Sequence, residues 1–212
     1  MDVYDLSKDV AKILTSDPLF LDLFEKSVIA AVLDMKEKTD NNSKCSDSQE
    51  LKHSLSASIS NWICNDYLSL LKNSVSTDRN EYDSTTLSII PMQLGQLIAM
   101  IHDETISKRT AKKILTFMHN QYIEHEKRPL PRAVAEEKGW KIISDPVIIR
   151  EMCVESIQQH EKQLNEYKQG DKKVWKIEKF CAGKVIKASG GNAHPEKVRE
   201  ILVEVLEEAK EE

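Results

Sequence analysis

Residues 172–206 read KKVWKIEKFCAGKVIKASGGNAHPEKVREILVEVL. At about 100° per residue, Val174, Ile177, Cys181, Val185 and Ala188 fall within an arc of roughly 80°, and Lys172, Lys173, Lys176, Lys179, Lys184 and Lys187 occupy the far side. That spacing predicts an amphipathic helix. Gly190-Gly191 ends it, because glycine takes the left-handed backbone that closes a helix, and His194-Pro195 starts the next, since the first helical position tolerates proline. Val198, Ile201, Leu202, Val205 and Leu206 form the second apolar stripe, and Glu204, Glu207, Glu208, Glu211 and Glu212 make an acidic tail.

The same periodicity recurs upstream. Ser16-Asp17-Pro18 is a polar cap followed by proline, and Phe20, Phe24, Val28, Ala31 and Met35 follow at spacings of four and three. A polar stretch from Lys36 to His53, with Asn41-Asn42-Ser43 and Ser46-Asp47-Ser48, reads as a loop with little to bury. Leu55, Ile59, Trp62, Ile63, Leu70 and Leu71 mark another helix, which fades into the polar residues Ser74 to Thr86. Ile90-Pro91 opens a helix carrying Leu94, Leu97, Ile98 and Ile101, and Ser107 caps one with Ala111, Ile114, Leu115 and Met118 inward. Pro129 and Pro131 interrupt the chain, a short helix ends at Gly139, and Asp145-Pro146 begins one containing Ile149, Met152, Cys153 and Ile157.

Only six glycines and six prolines punctuate 212 residues, too few for a many-stranded β fold. The expected class is all-α, in two small helical bundles. The first spans 1–84 with a polar insertion near 37–53, and the second spans 85–212.

No run approaches the roughly 20 apolar residues that cross a bilayer, and Met1-Asp2-Val3-Tyr4-Asp5 resembles neither a signal nor a transit segment. Cys45, Cys64, Cys153 and Cys181 show no Cys-x-x-Cys pairing, so they read as buried or incidental thiols of a reducing compartment rather than a zinc site or disulfide framework. There is no phosphate-cradling glycine loop, no Gly-x-Ser-x-Gly elbow and no His-Glu-x-x-His. The six histidines form no ligand pair; His119 and His125 stand among polar neighbours, and His160-Glu161 suits a helix end better than an acid-base couple. Asp103-Glu104 and Glu136-Glu137 are adjacent in sequence and diverge in direction. No catalytic residue and no metal ligand is expected in this chain.

The net charge of −5 excludes nucleic-acid binding through the bulk field, so any such binding falls to local patches. From Lys168 to Arg199, nine Lys and Arg residues face Asp171, Glu178 and Glu196, a local excess of six. A lysine face of this kind is either a solvated surface that keeps a bundle soluble or a footprint for a phosphate backbone, and spacing does not choose. Lys108, Arg109, Lys112 and Lys113 cluster around the Ser107 helix start, where backbone amides also favour phosphate. Trp62, Trp140, Trp175, Tyr67 and Phe180 fit core or half-buried positions better than an open stacking platform.

The order of these motifs resembles the GatB/YqeY family over nearly the whole chain. Leu6-Ser7 to Val10 with Ile13-Leu14-Thr15-Ser16-Asp17 looks like the segment that leaves the catalytic core of an amidotransferase B subunit, and Phe24 to Val28 and Asn61 to Asp66 resemble its next helices. Pro91, Leu94, Leu97, Ile98, Ile106-Ser107, Ala111-Lys112, Glu137-Lys138-Gly139 and Ser144-Asp145 are similar to the tail domain shared with stand-alone YqeY proteins. Tyr167, Gly170, Lys172, Phe180, Gly183, Lys187, Gly190, Asn192-Ala193 and Pro195 complete the match. The chain departs from the family pattern in the stretch from Asn41 to Ser48, at Asp103-Glu104 where a glycine turn is usual, and at Ser189 to Asn192 in place of a more basic loop.

The resemblance implies two helical bundles that hold glutamyl-tRNA(Gln) or aspartyl-tRNA(Asn) near its elbow. Amidation of the misacylated residue, with ATP and magnesium and with ammonia from an A subunit, is implied to lie in an upstream portion. The implied partners are tRNA(Gln) or tRNA(Asn), the A subunit and a small accessory subunit, with no membrane; the divergent sequence and the insertion point to a eukaryotic organelle, hence a mitochondrial location, otherwise a cytoplasmic one. The expected tRNA contacts are Lys172, Lys173, Lys176, Lys184 and Lys187, with Lys108, Lys112 and Lys113 as a lesser set.

Overall fold

Ser7 opens the first helix by accepting a 3.4 Å hydrogen bond from the Val10 amide, which gives α1 (Lys8–Thr15) its start. The structure is a computed structural model that describes residues 4–38, 47–74, 87–169 and 174–211. The chain is all-α. Apart from an isolated parallel bridge between Ile143 and Ala193, the described residues hold no strand.

Asp17 accepts from the Leu19 amide at 2.8 Å and Pro18 occupies the first position of α2 (Pro18–Lys38). Leu23, Phe24, Val28 and Ala31 are buried along it, and most of that face packs on α5 (Pro91–His102). Gly95 makes the closeness possible: a β-carbon there would stand 2.7 Å from both the Ser27 carbonyl oxygen and the Ala30 methyl. α5 buries Leu94, Leu97, Ile98, Ala99 and Met100, more than one face, as a helix enclosed by neighbours must.

α3 (Asp47–Asn61) begins inside the stretch expected to be a loop, and Lys36 to Lys38 still belong to α2; residues 39–46 lie outside the described ones. Leu51 and Leu55 reach the core from α3, so tertiary packing outweighs the weak helix preference of its serines. A π-helical turn, Trp62–Tyr67, joins α3 to α4 (Leu68–Ser74), with the Leu68 amide bonded to the Ile63 carbonyl five residues back.

Ser107 caps α6 (Lys108–His125) through the Thr110 amide at 3.1 Å, and Pro131 opens α7 (Pro131–Glu137). Arg132 of α7 grips both Asp34 oxygens of α2 at 3.0 and 2.9 Å. His119, expected in a polar setting, is 2% exposed. It follows Leu115 by four residues on α6, so its ring is carried inward, where Nδ1 meets the Ser88 hydroxyl at 2.7 Å. That hydroxyl lies 3.0 Å from the Tyr67 hydroxyl, and the Arg128 guanidinium donates to the carbonyls of Ser88 and Leu87.

A separate core belongs to α8 (Pro146–Gln158), α9 (Glu161–Lys168), α10 (Val174–Ala188) and α11 (Pro195–Glu211). Ile149, Cys153, Ile177, Cys181, Val185, Val198, Leu202 and Leu206 fill it. Gly191, at φ +87°, donates to the Ile186 carbonyl and ends α10, and the following residues pair with Ile143 through Asn192 and His194. Arg150 and Glu208 tie α8 to α11, and Tyr167 donates to Glu207 at 2.6 Å.

The packing divides at Trp140/Lys141 into Met1–Trp140 and Lys141–Glu212. The composition-based boundary at 84/85 involves residues 75–86, which lie outside the described ones, and α2 and α5 on either side of it share one core.

Candidate functional site

α10 presents the densest cationic surface expected from the sequence. Lys176, Lys179, Lys184 and Lys187 are all exposed on it, and none pairs with a carboxylate among the described residues. Lys172 and Lys173 lie outside the described residues. Unpaired ammonium groups keep their full field for a ligand.

Two aromatic rings interrupt the lysines, contrary to the expectation of core or half-buried positions. Trp175 is 59% exposed and Phe180 39%. Both lie outside the 80° apolar arc, and stepping the helix at 100° per residue is sufficient to find them. The Lys176 ammonium sits 5.5 Å from the Trp175 ring centre and that of Lys184 sits 5.0 Å from Phe180, within cation–π range. The other three aromatics follow expectation: Trp62 and Tyr67 are buried and Trp140 is half-buried.

Alongside the lysines, α8 and α10 border an open groove of about 490 Å³ lined by Met152, Glu155, Ser156, His160, Lys184 and Lys187. His160, just beyond the end of α8, donates from Nδ1 to the Ser156 carbonyl at 2.7 Å and meets Phe180 edge to face at 5.3 Å. The Ser156 hydroxyl has no hydrogen-bond partner.

The second basic cluster is partly committed within its own bundle. Lys112 pairs at 2.7 Å with Asp66, which the π turn presents, and Lys113 lies 5.8 Å from the Trp140 ring centre. Lys108 and Lys112 line a cavity of about 330 Å³ with Asn61, Asp66 and His102.

The Ser88–His119 contact has the atoms of a nucleophile and base. Both residues are almost fully enclosed, with Ser88 3% exposed, so no substrate reaches them and the pair serves packing. Burial holds the His119 imidazole below its ordinary pKa. Burial, aided by the neighbouring Cys181, pushes the Cys153 thiol up to about 11; burial also raises Cys181 and Cys64. Thiols so shifted are poor nucleophiles. Cys45 lies outside the described residues. Among the described residues no group of three or more His, Cys, Asp and Glu is placed to hold a cation. Nor is any helix among them long and apolar enough to cross a membrane.

Comparison with known proteins converges on one family. Residues 48–206 match the GatB/YqeY family, described as the GatB domain. The mitochondrial glutamyl-tRNA(Gln) amidotransferase B subunit of Phytophthora infestans is 36% identical over 153 residues, 71% of this chain and 25% of that protein. The second aspartyl/glutamyl-tRNA(Asn/Gln) amidotransferase B subunit of Clostridium acetobutylicum is 31% identical over 207 residues, 98% of this chain and 36% of that protein. The mitochondrial glutamyl-tRNA(Gln) amidotransferase B subunit of Naegleria gruberi is 29% identical over 205 residues, 94% of this chain and 36% of that protein. The chain thus spans between 25% and 36% of the length of these curated relatives.

Proposed function

The chain belongs to the GatB/YqeY family, and from that premise we propose that it is the tRNA-holding portion of an amidotransferase B subunit. Its role is to position a misacylated glutamyl-tRNA(Gln) or aspartyl-tRNA(Asn) for transamidation in protein synthesis. The chemistry, with ATP and magnesium, is assigned to a portion outside this chain. The A subunit and a small accessory subunit are the proposed protein partners. Mitochondria are the proposed compartment, on the strength of the Phytophthora and Naegleria relatives.

One observation carries the reading. On an acidic chain, the described lysines of α10 project into solvent without carboxylate partners. Backbone binding draws on that arrangement, because each ammonium that meets a phosphate releases condensed counterions. Lys176, Lys184 and Lys187 are the proposed main contacts together with Lys172 and Lys173, whose placement is not described. Lys108 is the more available of the lesser set, since Lys112 and Lys113 already face Asp66 and Trp140.

The test is tRNA binding by fluorescence anisotropy across a salt series. The parent chain is expected to lose affinity linearly in log–log form. Charge reversal of Lys176, Lys184 and Lys187 together is expected to weaken binding at least about 100-fold near 0.1 M salt, with a flatter slope. Unchanged binding by that variant overturns the assignment.

A protein-facing surface is supported by a different observation. Ile29 and Leu33, one turn apart on α2, are 58% and 56% exposed, which suits contact with a partner subunit. Ile29→Asp with Leu33→Asp is expected to reduce capture of the A subunit while leaving tRNA binding as it was.

A further inference from the structure

We propose that Trp175 is a stacking platform for an unpaired nucleobase, with Lys176 and Lys179 serving the phosphates on either side of it. This rests on the tRNA-holding reading and adds a preference for single-stranded RNA, which a lysine face alone does not supply.

Of the three tryptophans, Trp62 is 5% exposed and Trp140 packs against the first core, whereas Trp175 is 59% exposed. Its setting on α10 is cationic. The Lys176 ammonium lies 5.5 Å from the ring centre, and Lys179, four residues on, neighbours the ring on the helix surface. Both lysines are exposed, and neither pairs with a carboxylate among the described residues. Glu178 is half-buried on the flank where its charge reaches Tyr167 of α9, so two ammonium groups outweigh it around the ring.

The surroundings of the ring select among the partners an exposed tryptophan suits. A bilayer interface takes one from a helix that lays a broad apolar face into the lipid. On α10 that face is spent, because Ile177, Cys181 and Val185 are buried in the second core. The centre of a protein interface is depleted of charge, unlike this patch. An unpaired nucleotide matches both halves of it, with a π face for the indole and phosphates for the lysines. A paired base has its faces covered by its neighbours in the stack and leaves the ring unused. Phe180 is less suited to the same task. It is 39% exposed, His160 packs against it edge to face at 5.3 Å, and the Lys184 ammonium lies 5.0 Å from its centre.

The experiment uses the whole chain and follows anisotropy of tRNA, of a single-stranded oligouridylate and of a fully paired RNA duplex of the same length. Trp175→Ala is expected to weaken tRNA and oligouridylate about tenfold, the effect of losing one stacked base. The salt slope stays as it was, since no counterion is involved. Trp175→Tyr is expected to recover most of the affinity and Trp175→Leu to recover little, because leucine is apolar without a π face. Duplex binding is expected to be the same in parent and Trp175→Ala, and so is the melting temperature. Oligouridylate is expected to quench the tryptophan emission of the parent and not that of Trp175→Tyr, which retains Trp62 and Trp140. Unchanged tRNA binding by Trp175→Ala, full recovery by Trp175→Leu, or an equal loss on the duplex overturns the platform and leaves the salt-dependent lysine contacts standing. A Trp175→Ala defect confined to capture of the A subunit overturns it in favour of a protein interface. Absence of any salt-dependent tRNA binding by the parent chain overturns the broader reading as well.

Discussion

A methyl group has no room at Gly95. Its nearest neighbours would be the Ala30 methyl and backbone atoms of Ser27 and Ala31 on α2, none of which swings aside as the end of a flexible side chain does. Gly95→Ala gains up to about 1 kcal/mol of helix preference and loses more than that to overpacking. The expected outcome is a net destabilisation of about 1–3 kcal/mol, read as a lower urea midpoint at unchanged slope. His119 gives a second prediction at this scale. Burial depresses its folded-state pKa below the ordinary 6.5, so both states are neutral above that pH and its contribution is fully present there. As pH falls below 6.5, the unfolded chain takes up the proton more readily, and stability is lost. Urea midpoints between about pH 7.5 and 5 are expected to fall in the parent and to fall less steeply in His119→Gln. The burial is readable in principle, because His119 shares its face with Ala111, Leu115 and Met118; its polar sequence neighbours point the other way.

At the scale of elements, the helices whose starts carry caps are the ones the sequence announces. Asp17-Pro18, Ser107 and Asp145-Pro146 each satisfy or remove an amide at a helix start, and the structure opens a helix at each. α3 is obscured in the sequence because its first turns are polar and its Leu51 and Leu55 acquire meaning only against the core. The π turn is hidden for a related reason, since an extra residue blurs periodicity without leaving a breaker residue. Residue type alone sends Trp175 and Phe180 inward, although their angular positions on α10 mark them as outward. The stop after α10 depends on backbone shape. Gly191 lies at φ +87°, where a side chain is strained, and its amide closes on the Ile186 carbonyl. Gly191→Ala is expected to cost about 1–2 kcal/mol, seen as a lower thermal midpoint by far-UV circular dichroism.

At the scale of the molecule, the two cores share no member among the described residues. The linear sequence points to the polar stretch near residue 84 as a boundary, whereas packing divides the chain after Trp140. Composition registers where a chain is solvated. It does not register that helices on both sides of such a stretch meet face to face, as α2 and α5 do around Gly95. Separate cores predict separable unfolding. Cys153 and Cys181 are buried in the second core, so their alkylation at about pH 8, resolved by peptide mass, reports that bundle alone. Gly95→Ala is expected to lower the urea midpoint of the first bundle, followed by Cys64 labelling, and to leave the Cys153 and Cys181 midpoint where it was. A common shift of all three thiols would show that the bundles unfold as one.

Two cores without a common residue also change what inherited variation does to this chain. A substitution that loosens α2 against α5 spends its penalty in the first bundle, and one that alters the outward face of α10 meets solvent rather than packing. The outward face of α10 is thereby free to drift without loss of packing, while in the bundle that precedes it the close approach of α2 to Gly95 narrows what the sequence tolerates.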